Sequence, residues 1–280
     1  MRRLTAAGLA FPAALLVAVF LVLPMALLAR FSANRFVPGQ FMTEAFTAEN
    51  YVKAVTDPYY RAVLGTTLLM AVGVTAACLL LGLPLAMRLA RTGARWKPVL
   101  LLLLILPLFV GNAVRAAGWM VVFGQKGALN AVLGVLGLQP LTLMYTPAAV
   151  FVGILSVNLP FVVLTLASVL EGLDRSVDEA ALSLGATPVA GFVLVTLPRI
   201  APGVLAAATL CFVLAMNAYA TPVLLGGPRF QMMAPVVASE ILQAANWPFG
   251  AAVSFVLMGT TLALTTATAL LFRQRKPHAA

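Results

Sequence analysis

Long uncharged apolar segments are the feature that most constrains this chain. Charged residues interrupt the sequence at intervals and leave uncharged windows at 4–29, 62–87, 98–114, 127–170, 200–228 and 241–272. A helix needs roughly 20 apolar residues to cross the hydrocarbon core of a bilayer, and a helix satisfies its backbone hydrogen bonds within one such segment. Of the 280 residues, 62% are hydrophobic and 9% are charged, whereas a soluble domain carries about 25% charged residues. The sequence therefore predicts an all-α integral membrane protein.

We predict about six transmembrane helices in a single domain covering residues 1–280. The predicted spans are 6–30, 62–88, 98–123, 146–170, 200–225 and 250–272. The segment 127–140 is broken by glycine, asparagine and proline, and we interpret it as interfacial or re-entrant. The segment 232–245 is also expected to lie at the interface. The N-terminal apolar run is longer than the 7–15-residue core of a typical signal peptide, so it is predicted to be an uncleaved first span.

The basic residues predict the orientation of these spans. Six spans place both termini and the loops 88–97 and 171–199 on one side of the membrane. That side holds 11 basic residues: Arg2, Arg3, Arg88, Arg91, Arg95, Lys97, Arg175, Arg199, Arg273, Arg275 and Lys276. The other side holds 7: Arg30, Arg35, Lys53, Arg61, Arg115, Lys126 and Arg229. The richer side is predicted to be cytoplasmic. A seventh span at 127–140 would separate the basic clusters at 88–97 and 273–276, so the pattern favours six.

The composition leaves little material for catalysis, metal binding or nucleic-acid recognition. The single histidine is His278, and Cys78 and Cys211 lie inside apolar runs, where we interpret them as small hydrophobic residues. No metal site and no catalytic residue is predicted, and the chain has no Gly-x-x-x-x-Gly-Lys-Ser/Thr phosphate loop. The net charge of +10 comes from basic residues placed between apolar runs, so membrane topology explains it better than nucleic acid. The chain is predicted not to be an enzyme.

One loop, 171–199, differs from the other connections. Ser176 followed by Glu179 forms a capping-box pattern, Gly185 suits a helix end, and Pro188 suits the start of a second helix. The pattern predicts two short helices with a small-residue surface that a partner could approach closely. The alternative is an ordinary solvated connector, and local physics alone does not decide between the two.

The same loop carries a family signature. It reads Glu179-Ala180-Ala181, then Gly185, then Leu197-Pro198. This spacing resembles the loop signature of ATP-binding-cassette importer permeases, with Val195 in place of an isoleucine. The resemblance implies that Glu179, Ala180, Ala181, Gly185, Leu197 and Pro198 belong to a coupling helix region that docks on an ATPase.

The resemblance to spermidine/putrescine-type permeases extends over nearly the whole chain. The segments that carry it are 46–51, 57–60, 118–120, 143–147, 221–222, 224–228 and 246–250. It implies a type I importer permease fold in a bacterial inner membrane. It also implies the partners: a second permease subunit, two ATPase subunits, an extracytoplasmic solute-binding protein and membrane lipid. The second permease is expected to be a paralogue, and a second copy of this chain is the alternative. No cofactor is expected in this subunit, because ATP and Mg²⁺ would bind the partner ATPase.

Polar residues inside the predicted spans are candidates for a translocation path, because burying them in a membrane is costly. The candidates are Asn112, Arg115, Asn158, Asn217, Tyr219 and Thr221. For Asn112, Asn158 and Thr221 the alternative is hydrogen bonding between packed helices. Arg115 could instead extend to the outer interface, or contact an acidic group of a partner.

The solute is not specified by the sequence. Related permeases often resemble Asp-Phe-Val-Thr-Pro where this chain reads Asn217-Ala-Tyr-Ala-Thr-Pro222, so a polyamine would find few acidic groups along its route. The alternative function is an ATP-independent secondary transporter or channel. That class would require ionisable groups in the spans or inverted repeats, and Arg115 is the only clear intramembrane charge.

Overall fold

The computed structural model describes residues 2–39 and 42–273; within these ranges, the side chains of residues 2–10, 13, 14, 175, 178, 179, 182, 272 and 273 lie outside the described part. The only β pairing among the described residues is an isolated antiparallel bridge between Arg35 and Thr43. The helices are α1 Arg2–Ser32, α2 Glu49–Thr56, α3 Pro58–Ala90, α4 Lys97–Ile105, α5 Asn112–Phe123, α6 Ala128–Val135, α7 Pro147–Glu171, α8 Arg175–Ser183, α9 Pro188–Gly191, α10 Leu197–Met216, α11 Met233–Leu242 and α12 Trp247–Arg273.

Five stretches of the described chain are helical, long and apolar enough to cross a membrane: Leu15–Ser32, Pro58–Ala90, Pro147–Glu171, Pro188–Met216 and Trp247–Leu271. A sixth crossing is formed if one bent pair, Lys97–Phe109 with Asn112–Val135, counts as a single span. The prediction of an all-α membrane protein with about six spans is confirmed. The apolar stretch predicted at the interface, 232–245, contains the short helix α11.

The third predicted span is broken. Helix α4 tightens into a 3-10 turn at Leu106–Phe109, and α5 starts only at Asn112. The helical pieces on the two sides of the break are bent by 97°. Pro107 lies in the turn and has no backbone N–H, so it weakens helical hydrogen bonding at this place. A proline inside a span such as this one predicts a kink; the structure contains a full interruption at residues 110–111.

The chain divides into two compact units, and the first comprises Met1–Ala62 and Val236–Thr260. Polar contacts order the loop between α1 and α2 in this unit. The Nδ2 atom of Asn50 donates to the carbonyl oxygens of Ser32 and Asn34, each at 2.8 Å. Thr47 accepts the backbone N–H of Glu49 at 3.1 Å, at the start of the helix that the Thr47-Ala-Glu-Asn pattern predicts.

Aromatic packing completes this first unit. Tyr60 donates to Glu240 at 2.9 Å and packs edge-on against Phe249, with ring centroids 4.8 Å apart. The ammonium group of Lys53 lies 4.6 Å from the centroid of the Phe249 ring, within the range of a cation–π contact. A basic and an acidic side chain thus contact the two members of this aromatic pair, Lys53 at Phe249 and Glu240 at Tyr60.

The second unit comprises Val63–Pro235 and Thr261–Ala280, with α7 at its centre. Half of the membrane-crossing window of α7 is buried, the largest share among the candidate spans. Helix α10 packs on α7 so closely that a Cβ on Gly203 would lie 2.6 Å from a methyl group of Val169. Small residues at such positions let membrane helices approach each other. Cys78 and Cys211 are buried free thiols, in agreement with their interpretation as small hydrophobic residues.

The segment 124–141 is held by one asparagine. The Nδ2 atom of Asn130 donates to the carbonyl oxygens of Gly124, Gln125 and Leu141 at 3.2, 3.2 and 3.0 Å. Its Oδ1 atom accepts the backbone N–H of Leu141 at 2.8 Å. Asn130 is buried, and its amide satisfies backbone groups that this short helix and its turns leave unpaired. The sequence identified Asn130 only as a break in an apolar run.

Candidate functional site

A second break interrupts the fifth predicted span. Helix α10 ends at Met216, helical structure resumes at residue 220, and a π-helical turn follows at Pro222–Gly226. Residues 218–219 have no helical conformation, although the prediction extended this span continuously to residue 225. Pro222 cannot donate a backbone hydrogen bond, and Asn217 competes for the carbonyl of Val213 with its side chain at 2.9 Å.

The two breaks meet at one cavity of about 580 Å³. Its polar lining consists of Asn112, Arg115, Asn158, Asn217, Tyr219 and Thr221. These are all six of the residues that the sequence identified as candidates for a translocation path. The apolar lining comes from the 3-10 turn, α7 and α10, and includes Leu108, Ile154, Val157, Phe161 and Leu214. No residue in this lining is acidic.

Arg115 brings the one cationic side chain to the cavity. Its Nη2 atom donates to the carbonyl oxygen of Val110 at 3.0 Å, at the break that precedes α5. Its Nε and Nη1 atoms are buried and have no hydrogen-bond partner among the described residues. Such groups cost free energy unless a ligand or water satisfies them. Arg115 therefore has one structural bond and two buried nitrogen atoms that no group of the described chain satisfies.

The other polar residues divide between packing and exposure. Asn158 is buried, and its Nδ2 atom lies 3.5 Å from the carbonyl oxygen of Cys211 on α10, so it contributes to helix packing as well as to the lining. Thr221 is also buried, in contact range of α7: a Cβ on Gly153 would lie 2.5 Å from its methyl group. Asn217 and Tyr219 are exposed, Tyr219 by 48%. For Asn158 both alternatives from the sequence therefore apply: it lines the cavity, and it hydrogen-bonds a neighbouring helix.

The loop 171–199 forms one short helix, α8. The second helix does begin at Pro188 as predicted, but it is not short, because α9 continues through a π-helical turn at Phe192–Thr196 into α10. Gly185 ends α8 with a φ of +89°, a left-handed conformation that glycine adopts without strain. The N–H of Ala186 donates to the carbonyl of Ala181 at 3.1 Å, which is the hydrogen bond of a Schellman helix end. Helix α9 begins at Pro188, and Thr187 accepts the N–H of Ala190 at 3.2 Å.

The predicted start of α8 needs a correction. The helix begins at Arg175, and the side chain that accepts a backbone N–H is Asp174, whose Oδ1 atom binds the N–H of Ser176 at 3.0 Å. Ser176 is therefore inside the first turn, and its expected capping role falls to Asp174. The hydrogen bonds from Ser176 lower the pKa of the Asp174 carboxyl, with a smaller contribution from Arg199. The side chain of Glu179 lies outside the described part.

The remaining signature residues frame an exposed surface. Ala180, Gly185 and Pro198 are exposed, and Ala181 and Leu197 are half-buried. Two larger apolar side chains in the same loop are exposed, Leu184 by 90% and Val189 by 72%. At the start of the loop, Glu171 is bound by Lys97 with an Nζ–Oε2 distance of 2.7 Å, which ties the end of α7 to the start of α4.

Sequence reasoning missed the apolar half of the cavity and one interhelical contact. Leu108, Ile154 and Phe161 line the cavity, but an apolar residue in an apolar span carries no signal that separates it from lipid-facing neighbours. Trp119 donates from Nε1 to the hydroxyl of Ser156 at 2.9 Å and so links α5 to α7. The pairing of an indole and a hydroxyl across two spans is visible only once the helices are placed.

Comparison with known proteins gives one family. Residues 78–276 match the family described as binding-protein-dependent transport system inner membrane component. The spermidine/putrescine transport system permease protein PotB of Escherichia coli K12 is 37% identical over 221 residues, covering 78% of this chain and 80% of that protein. PotB of Haemophilus influenzae is 34% identical over 258 residues, covering 91% of this chain and 87% of that protein.

Solved structures share the fold at low sequence identity. A chain of a bacterial transporter that imports the acidic polysaccharide alginate superposes with a TM-score of 0.74 at 16% identity, covering 99% of this chain and 97% of that chain. A second structure of an alginate transporter, in complex with an alginate pentasaccharide-bound periplasmic protein, gives a TM-score of 0.75 at 16% identity and covers 98% and 95%. The type I importer permease fold is confirmed.

Proposed function

This chain belongs to the family of binding-protein-dependent transport system inner membrane components, and we propose that it forms the path for a small organic solute, of polyamine type or a related class, through an ATP-driven importer. It is a multi-pass, non-enzymatic permease subunit of an ATP-binding-cassette importer. The alternative of an ATP-independent transporter or channel is not favoured, because the family depends on a binding protein.

One observation carries the proposal for the path: two broken helices meet at the cavity that collects all six polar candidates. Non-helical backbone is tolerated at membrane depth where it lines a cavity rather than lipid. In transporters, discontinuous helices of this kind form solute sites. Asn112, Arg115, Asn158, Asn217, Tyr219 and Thr221 would therefore contact the solute or its water as it passes.

The size and lining of the cavity support a small organic solute. A volume of about 580 Å³ lies within the range of roughly 300–1,000 Å³ that small-molecule sites occupy. Amide, hydroxyl and guanidinium groups lie beside the apolar side chains of Leu108, Val157 and Phe161. Such a mixed lining suits a solute with an alkyl backbone and a few polar ends.

The loop 171–199 would couple the ATPase to this path. Its exposed small residues, together with exposed Leu184 and Val189, offer an apolar surface for a partner. Rigid-body motion of α8 would pass to α7 and α10, which flank the loop and line the cavity. In this proposal both termini are cytoplasmic, ATP and Mg²⁺ bind two separate ATPase subunits, and the second permease is a paralogue.

Co-purification tests the proposed assembly. A tagged chain is extracted from its own membrane in mild detergent, and the recovered proteins are identified by mass spectrometry. We expect an ATPase with a phosphate loop, a second permease and, after crosslinking from outside, a solute-binding protein. Recovery of this chain alone, with robust ATP-independent uptake after reconstitution, would contradict the proposal.

A further inference from the structure

The cavity carries positive charge without any acidic counterpart. The acidic residues of the whole chain are Glu44, Glu49, Asp57, Glu171, Asp174, Asp178, Glu179 and Glu240. None of them falls in the segments 108–161 and 214–221 that supply the cavity lining, and Arg115 is the only basic residue of that lining. A polyamine in this cavity would face a like charge with no carboxylate to offset it.

Arg115 has unused binding capacity at this place. Among the described residues, Nη2 is bonded to the carbonyl of Val110, whereas Nε and Nη1 are buried and find no partner. A planar guanidinium matches the geometry of a carboxylate better than that of any neutral group. Two buried donors on one cation therefore indicate an anionic oxygen-bearing ligand.

The start of α5 is a second, independent feature of the same kind. Helix α5 has 12 residues, and its N-cap Gly111 makes no side-chain hydrogen bond to the first backbone N–H groups. Asn112 and Arg115 in its first turn both line the cavity. The positive end of a helix dipole and free N–H groups attract anions, and half-helices in transporters direct this end at anionic groups of the solute.

We propose that the transported solute carries a carboxylate, held by Arg115 and the N-terminal turn of α5, so that it is an amino-acid-like derivative rather than a pure polyamine. This inference rests on the function proposed above and specifies its substrate class. An amine or alkyl end of such a solute would extend along the amide and apolar lining, where Asn217 and Tyr219 are exposed.

Matched solutes test the inference on the complete importer, reconstituted in proteoliposomes with its own binding protein, ATPase and second permease. The probes are labelled pairs with the same number of carbon atoms, in which one terminal aminomethyl group is exchanged for a carboxylate: putrescine with γ-aminobutyrate, and cadaverine with δ-aminovalerate. We expect ATP-dependent uptake of the carboxylate member of a pair to exceed that of the diamine by about tenfold or more. For Arg115→Met we expect a drop in that uptake of roughly tenfold, typical of losing one charge-assisted bond, with partial recovery in Arg115→Lys.

Three outcomes would overturn the inference. If uptake of the diamine equals or exceeds uptake of the carboxylate-bearing partner, the proposed importer function stands, but the inference that the solute carries a carboxylate is wrong. Normal uptake in Arg115→Met assigns the guanidinium to packing alone. If the second permease no longer co-purifies with Arg115→Met, the guanidinium of Arg115 binds a carboxylate of that subunit rather than the solute. The control is Arg95→Met, an exposed arginine between α3 and α4 outside the cavity lining, for which uptake should be unchanged.

Discussion

At the scale of single residues, buried amides carry much of the polar structure of this chain. Asn130 makes four hydrogen bonds with backbone groups of Gly124, Gln125 and Leu141. Asn158 reaches the backbone of α10 from α7. A membrane offers no water to compensate a broken bond of this kind, so each amide fixes a local backbone path. The hydrogen-bonding capacity that makes an asparagine costly to bury in lipid also lets it fix a specific backbone conformation.

Replacing Asn130 tests this role. In the unsubstituted chain, three carbonyl oxygens accept hydrogen bonds from the Asn130 amide. In Asn130→Asp these oxygens face a carboxylate oxygen, which cannot donate a hydrogen bond. We expect a destabilisation of about 1–3 kcal/mol, the cost of leaving buried groups unsatisfied, measured as a lower midpoint of thermal unfolding in detergent. Gln125→Glu is the matched control, because it makes the same amide-to-acid change on an exposed side chain. Equal midpoints of thermal unfolding for the two variants would contradict this structural role of Asn130.

The polar half of the cavity could be predicted from the sequence, and the apolar half could not. A polar residue inside an apolar run stands out, which is why Asn112, Asn158 and Thr221 were found. Leu108 and Phe161 are apolar residues in apolar spans, so the sequence does not distinguish them from residues that face lipid. The capping of α8 was wrong by two residues, because Asp174 and Ser176 are both good caps and the backbone decides between them.

At the scale of elements, the helix-turn-helix of the loop depends on one backbone conformation. Gly185 has a φ of +89°, and a Cβ added there would meet no atom within 4 Å. A substitution therefore changes backbone strain and leaves local packing unaffected. This separation makes Gly185 a useful probe of whether the turn geometry itself matters for coupling.

A pair of variants uses this property. Gly185→Val places a β-branched residue in the left-handed region, which costs about 1–2 kcal/mol, whereas Gly185→Asn is tolerated there better. We expect ATP-dependent uptake to fall by roughly tenfold in Gly185→Val and to be largely retained in Gly185→Asn, with both chains inserted in the membrane. Uptake is measured in proteoliposomes. Equal uptake in the two variants would show that α8 does not transmit motion through this turn.

The interrupted helices mark the limit of prediction at this scale. Pro107 and Pro222 predict weakened helical hydrogen bonding. They do not predict that the helices are fully interrupted, as they are at residues 110–111 and 218–219. A kinked helix and a broken one have the same apolar composition. What distinguishes them is whether neighbouring groups, such as the Arg115 bond to Val110, satisfy the freed backbone.

At the scale of the whole molecule, the number of crossings depends on one bent pair of helices. The five straight candidates leave the sidedness of Lys97–Val135 open, because a pair bent by 97° could cross the membrane or re-enter on the same face. The distribution of basic residues predicts a crossing, and with it the cytoplasmic placement of both termini.

Cysteine labelling decides this point. Single cysteines are placed at Ala94, Leu138 and Leu184, which are exposed and lie before the bent pair, after it and after α7. In membranes washed free of peripheral subunits, an impermeant maleimide should label Ala94→Cys and Leu184→Cys from one side and Leu138→Cys from the other. Labelling of Ala94→Cys together with Leu138→Cys would show that the pair re-enters. Cys78 and Cys211, both buried, are replaced by alanine in every variant.

The high exposure of the Leu15–Ser32 window of α1 has a consequence for sequence variation. Only 6% of the membrane-crossing window of α1 is buried, with Phe20 exposed by 76% and Leu21 by 60%. No partner side chain in the described chain therefore constrains the shape of these residues, and selection can act on their hydropathy while leaving their identity free to drift. We therefore expect relatives to keep the hydropathy of this helix while its individual apolar side chains vary.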